Sequence, residues 1–127
     1  MNPKAITNNE MYGKKSVTDD WTPGIFSKLW EMYNGNRGRY NLKYWIVCDG
    51  PVDTIWIESL NTVLDDNKIL TLASGDRFPM AETVKLVFEV ENLNNASPAT
   101  VSRCGIVYVS EETLGYTALI NTYVKKR

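Results

Sequence analysis

Asp49 directly follows residues 42–48 (LKYWIVC), a near-continuous apolar run of β-favouring residues. A carboxylate at the end of a buried strand stands where nucleotide-binding proteins hold the water shell of a magnesium ion, the Walker B arrangement. The same pattern also serves as a plain turn, since Asp-Gly is a common turn pair. The next position narrows the chemistry. Hydrolysing members of the nucleotide-binding class often carry there a carboxylate that orients the attacking water, and here it is Gly50, which has no side chain to do so. Two stretches imitate the phosphate-cradling spacing G-x-x-x-x-G-K-[ST] without meeting it. Gly13-Lys14-Lys15-Ser16 has Asn8 five positions before Gly13, and Gly35-Asn36-Arg37-Gly38 lacks the Lys and the Ser or Thr. The chain alone is expected to bind ATP poorly or not at all.

Other chemistry is scarce. There is no histidine, so Ser-His and Cys-His nucleophile systems are excluded and the commonest metal ligand is missing. Cys48 and Cys104 lie among apolar residues without paired-ligand spacing and read as buried, reduced thiols in an intracellular setting. Arg103 closes a short helix, where it can satisfy carbonyl groups. Glu58 and the pair Asp65-Asp66 read as solvated faces and caps rather than an acid–base dyad.

The elements that must position these residues follow from pattern. Residues 1–22 are polar and turn-rich, a lead-in with a short strand or loop near residues 5–7. Thr22-Pro23 predicts a helix start, with Ile25, Phe26, Leu29, Trp30 and Tyr33 at helical spacing, followed by a basic mobile loop over 34–41. The run 42–48 predicts a strand buried on both faces. Asp53 caps a helix burying Trp56, Ile57, Leu60, Val63 and Leu64. Residues 69–72 and 77–80 predict a hairpin, and 84–90 a second core strand. Ser97-Pro98 opens a short helix ending near Arg103, 106–109 predicts a third core strand, and Ser110 caps a last helix presenting Leu114, Ala118, Leu119, Tyr123 and Val124 to a core. Strands alternating with helices imply α/β architecture with a mostly parallel sheet. Ligands in such folds meet the carboxyl ends of strands, here Asp49, Glu89 with Asn92, and Ser110. One domain is expected over 1–127: lead-in 1–22, βα core 23–110, C-terminal helix 111–127.

Composition agrees with a folded domain and restricts its partners. The 127 residues include 14 Lys plus Arg against 15 Asp plus Glu, a net charge of −1, so nothing supplies the positive excess that nucleic acid or an anionic membrane surface demands. With 43% hydrophobic and 11% aromatic residues the chain has material for a core. No apolar run reaches the length of a membrane span.

Longer strings carry more information than these motifs. Asn2-Pro3-Lys4-Ala5-Ile6-Thr7, Met11-Tyr12-Gly13, Trp21-Thr22-Pro23-Gly24-Ile25-Phe26-Ser27, the block from Trp45-Ile46-Val47-Cys48-Asp49-Gly50-Pro51-Val52-Asp53 through Trp56 to Lys68, Leu70-Thr71-Leu72-Ala73, Phe88-Glu89, and Ala96-Ser97-Pro98-Ala99-Thr100-Val101-Ser102-Arg103-Cys104-Gly105 together resemble the second AAA+ module of a dynein heavy chain. Gly50-Pro51-Val52-Asp53 and Ala96-Ser97-Pro98-Ala99-Thr100 look more like axonemal heavy chains than the cytoplasmic one. The resemblance covers nearly the whole chain.

That resemblance implies a partial AAA+ module, a P-loop-type three-layer sandwich lacking its first strand and its Walker A loop, which in the family precede Asn2-Pro3. It implies Asp49 as the Walker B acid facing magnesium through water, Glu89 at a sensor position, and Arg103 as an arginine finger working in trans on the neighbouring site. ATP or ADP with magnesium would be held without hydrolysis. Adjacent modules of the same chain, microtubules reached through other regions, and an axonemal location are implied, with no nucleic-acid or membrane partner. Tyr116 departs from the family's usual Trp. A missing central strand would leave the edges of 84–90 and 106–109 unpaired, which dimerisation could relieve. Two further readings stay open from the residues: a receiver-like phosphoacceptor, for which Asp19-Asp20 follow no apolar strand, and a stand-alone protein-interaction module.

Overall fold

A computed structural model describes residues 1–35 and 42–126, the side chain of Leu114 excepted. Asn2 caps a 3-10 turn at Pro3–Ala5, and Thr7 caps α1 (Asn8–Tyr12) in a reciprocal capping box with Glu10. α1 runs into β1 (Gly13–Lys15), which pairs antiparallel with β2 (Trp21–Pro23). This stretch is more built than its polarity predicts: residues 5–7 form no strand, and Met11 and Tyr12 are buried. Thr22-Pro23 belong to β2 rather than to a helix start. The Gly24 N–H donates to the Tyr12 carbonyl at 3.1 Å, and a Cβ on Gly24 would lie 2.3 Å from the Met11 carbonyl oxygen, so pairing with the preceding segment delays the helix to Ile25.

α2 (Ile25–Gly35) buries Phe26 and Trp30, whose rings stack at 5.7 Å, while Ile25 faces solvent. Asn34, also buried, accepts from the Ala81 N–H at 2.7 Å and donates to the Trp30 carbonyl, fastening the end of α2 to the segment before the last strand. The loop predicted for 34–41 falls, from residue 36 on, outside the described residues.

β3 (Tyr44–Asp49) leads through a short loop to α3 (Thr54–Ile57), a 3-10 turn at Glu58–Leu60, and α4 (Asn61–Leu64). Asp53 caps α3 as its position predicts, accepting from the Ile55 and Trp56 N–H groups. β4 (Ile69–Thr71) and β5 (Arg77–Pro79) form the predicted hairpin. β6 (Val84–Glu89) pairs with β3 in parallel, in register from Tyr44 opposite Val84 to Asp49 opposite Glu89. The chain is thus α/β, with its described strands in three two-stranded sheets of which one is parallel.

β3 is not buried on both faces. Ile46 and Cys48 enter the core, but Trp45 is 71% exposed, because among the described residues no second layer covers its side of the pair. The core gathers Met11, Phe26, Trp30, Ile46, Cys48, Trp56, Ile57, Leu60, Val63, Leu70 and Val84. α5 (Pro98–Arg103) closes this packed part, capped by Ser97.

Beyond Gly105 the expectations from pattern are overturned. Residues 106–109 form no strand, and Ile106, Val107, Tyr108 and Val109 are 59–86% exposed. A strand needs a hydrogen-bonding neighbour, and none of the described strands offers them one. The last helix is divided at Gly115 into α6 (Glu111–Leu114) and α7 (Thr117–Lys125), and Ala118, Leu119, Tyr123 and Val124 are exposed. The predicted orientation of Leu114 lies outside what is described.

Candidate functional site

The parallel register sets the site. Because β3 and β6 run the same way and end together, Asp49 and Glu89 stand side by side at the carboxyl ends of the pair. The loops that leave these strands, with Gly50, Pro51 and Val52 on one side and Glu91, Asn92 and Asn95 on the other, enclose an open depression of about 450 Å³. The Gly50 N–H donates to the Glu89 carbonyl at 3.2 Å, joining the loops at their base. Trp56 braces the first loop by donating from its indole N–H to the Pro51 carbonyl at 3.2 Å, and its ring lies 6.0 Å from that of Phe88 on β6.

The donors lining the depression are carboxylates and carboxamides, hard oxygen ligands of the kind magnesium prefers, and among the described residues no lysine or arginine lines it. Among the described residues no three His, Cys, Asp or Glu side chains come close enough to hold an ion directly. The depression thus offers oxygen donors suited to a hydrated cation, and among the described residues no basic side chain to meet a phosphate.

Gly50 is held by geometry. Its φ of +157° is one that L side chains rarely adopt, and an added Cβ would lie 2.6 Å from Asn2 Oδ1. The N-terminal segment is the cause: the Met1 ammonium donates to the Val47 carbonyl at 2.8 Å, the Met1 carbonyl accepts from the Asp49 N–H at 2.8 Å, and Asn2-Pro3 then cross the glycine. A side chain in place of Gly50 would have to displace the Asn2 carboxamide and adopt a strained backbone. Lys4 continues the same contact by pairing with Asp53, whose carboxyl group is held below its ordinary range chiefly by the hydrogen bond from Lys4, with the α3 N–H groups adding to it.

Arg103 does not reach this depression in its own chain. It forms an ion pair with Asp65, the residue that ends α4. Ser110, the third strand-end candidate, begins α6 in the exposed terminal region, its hydroxyl 2.8 Å from that of Thr113. Asp19 pairs with Lys15 in the β1–β2 turn and does not line the depression. Both cysteines are free. Cys48 is buried and its thiol is pushed up to about 11, mainly by loss of solvent.

Three contacts around the site escape a reading of the sequence: Asn2 against Gly50, Lys4 with Asp53, and Asp65 with Arg103. Each joins residues dozens of positions apart. Only the charges of Lys4, Asp53, Asp65 and Arg103 are visible in the sequence, and charge alone names no partner.

No protein-family model matches the chain. Along its whole length it is 58% identical to the dynein gamma chain of the flagellar outer arm of Chlamydomonas reinhardtii, 56% identical to dynein axonemal heavy chain 8 of Mus musculus, and 48% identical to dynein axonemal heavy chain 2 of the same species. The chain spans only 3% of the length of each of these relatives. It is thus homologous, from end to end, to a short stretch of axonemal dynein heavy chains. No helix among the described residues is long and apolar enough to cross a membrane.

Proposed function

We propose that this chain is the metal-facing part of the second AAA+ module of an axonemal dynein heavy chain, and that it supports ATP turnover at a neighbouring site without hydrolysing ATP itself. The observation that carries the reading is the end of the parallel pair, where Asp49 stands beside Glu89 and the next residue is a glycine, whose φ of +157° is one that L side chains rarely adopt. Asp49 would hold a magnesium ion through water, with Glu89 in the sensor position. Magnesium, when bound with ATP or ADP, supplies charge neutralisation for the phosphates. The chain's own residues hold the backbone at Asp49, whose N–H donates to the Met1 carbonyl, and keep position 50 free of any group able to activate water.

Arg103 is the proposed arginine finger. It stands apart from the depression of its own chain, as a residue acting on a neighbouring module's site must. Such a finger contributes about 10³–10⁵ in rate by meeting transition-state charge in a dry interface. The partners in this reading are the adjacent modules of the same heavy chain, with microtubules engaged elsewhere in the motor, in the axoneme of a cilium or flagellum. The partial three-layer AAA+ sandwich belongs to the same proposal, with the phosphate-cradling loop supplied by chain beyond this segment.

Calorimetric titration of the chain with Mg-ATP tests the division of labour: no heat of binding is expected at micromolar concentrations, and micromolar affinity would overturn it. In an axonemal motor carrying this segment in its homologous place, Arg103→Ala is expected to slow ATP turnover by about 10³-fold or more. An unchanged rate would remove the finger assignment.

A further inference from the structure

Resting on the finger reading, we propose that Asp65 is the positioning residue for Arg103, fixing the guanidinium so that its outer edge is available to the phosphate of a neighbouring module. Arg103 meets Asp65 through Nε, the nitrogen nearest its stem. A guanidinium is a planar fork of five N–H donors, so an ion pair at Nε tethers its inner edge while the N–H groups at the far end remain available for a second anion. A carboxylate at this inner edge therefore orients the cation rather than consuming it.

The mount beneath the pair is built on both sides. α5 carries Arg103 in its last turn, and Thr100, one turn earlier and buried, donates from its hydroxyl to Asn61 Oδ1 at 3.1 Å. Asn61 begins α4 and its carbonyl accepts from the Asp65 N–H at 3.0 Å, while the Asp65 carbonyl accepts from Lys68 at 3.0 Å. The backbone of Asp65 is thereby held at both its N–H and its C=O. Leu60 and Val63 anchor the same helical stretch in the core. Both side chains of the pair are about one third exposed, at 32% and 36%. An ion pair this open contributes little to stability, so its main consequence is orientation.

The test uses an axonemal heavy-chain motor with this segment in its homologous position. Asp65→Asn keeps the shape and removes the charge; kcat for ATP is expected to fall about tenfold to a hundredfold with KM unchanged, as expected when a group acting in the transition state is misplaced. Asp65→Glu should recover most of the rate. In an Arg103→Ala background, Asp65→Asn should lower kcat no further. A wild-type kcat in Asp65→Asn beside a slow Arg103→Ala would overturn the positioning role and leave the finger standing. A full rate in Arg103→Ala would overturn the finger itself. An equal loss from Asp65→Asn in both backgrounds would show a merely structural residue and also overturn the proposal. In the chain alone, the Arg103 Nε–H should exchange with solvent faster in Asp65→Asn, and identical exchange would remove the contact on which the inference stands.

Discussion

The two ends of the chain reverse what their compositions suggest. The first two dozen residues are polar, yet they place Met1 against β3, Asn2 and Pro3 across Gly50, Lys4 on Asp53, and Met11 and Tyr12 in the core. The last two dozen are rich in aliphatic and aromatic side chains, yet Ile106 through Val109 and the apolar residues described on α7 face solvent. Apolar content supplies a driving force, but burial also requires a partner that satisfies the backbone and receives the side chains. The N-terminal segment has such partners in β3, α2 and the loop after β3. Residues 106–109 have no strand partner among the described residues, and their side chains stand exposed.

Truncation separates the ends most sharply. Met11 is fully buried, so Met11→Ala should lower the free energy of unfolding by about 2–5 kcal/mol. Tyr108 is larger and 86% exposed, and Tyr108→Ala should change it by less than about 0.5 kcal/mol. Urea denaturation of the two variants beside the parent chain measures both. Similar losses from the two would show that residues 106–109 are packed in solution and would break the contrast.

A second variant examines how tightly the N-terminal segment seals the loop after β3. Gly50→Ala combines a backbone conformation unsuited to alanine with a Cβ directed at Asn2, and should cost about 1–3 kcal/mol. Asn2→Gly removes the clash but leaves the conformational strain. The double variant should therefore recover part of the loss. Full recovery would assign the whole effect to contact, and no recovery would assign it to φ alone.

What could be read beforehand divides along the same line between local and distant causes. The Asp53 cap, the β4–β5 hairpin, the Ser97 cap and the presence of β3 and β6, though not their exact limits, depend on residues within a turn or two of one another, and their types announce them. Asp49 and Glu89 were placed at strand ends by pattern, and the parallel register then brought them side by side. The isolated tail could not be foreseen in this way, because Ile-Val-Tyr-Val has the composition of a strand whether or not a neighbour exists. Thr22-Pro23 misled for the opposite reason: a sound local helix signal yielded to pairing with β1. The Asp65–Arg103 pair also depends on tertiary packing, in which the contact between α4 and α5 brings two exposed-looking charges together.

The smallest expected effect concerns the ion pair through which the N-terminal segment meets the site. Lys4 and the α3 N–H groups hold the Asp53 carboxyl below its ordinary value of 3.8. Because the folded-state value is the lower one, the contribution is present in full above the unfolded value and is lost as pH falls through the folded one. Asp53→Asn keeps an oxygen for the cap and loses the charge, so at neutral pH it should cost no more than about 1 kcal/mol. That difference from the parent chain should shrink as pH is lowered below 3.8 and the carboxylate takes up its proton. Urea midpoints for both proteins, followed from neutral pH into the acid range, measure the convergence. Glu112→Gln at the exposed other end should leave the neutral-pH midpoint where it was. A shift there as large as that of Asp53→Asn would mean that the polar end is no more engaged than the apolar one.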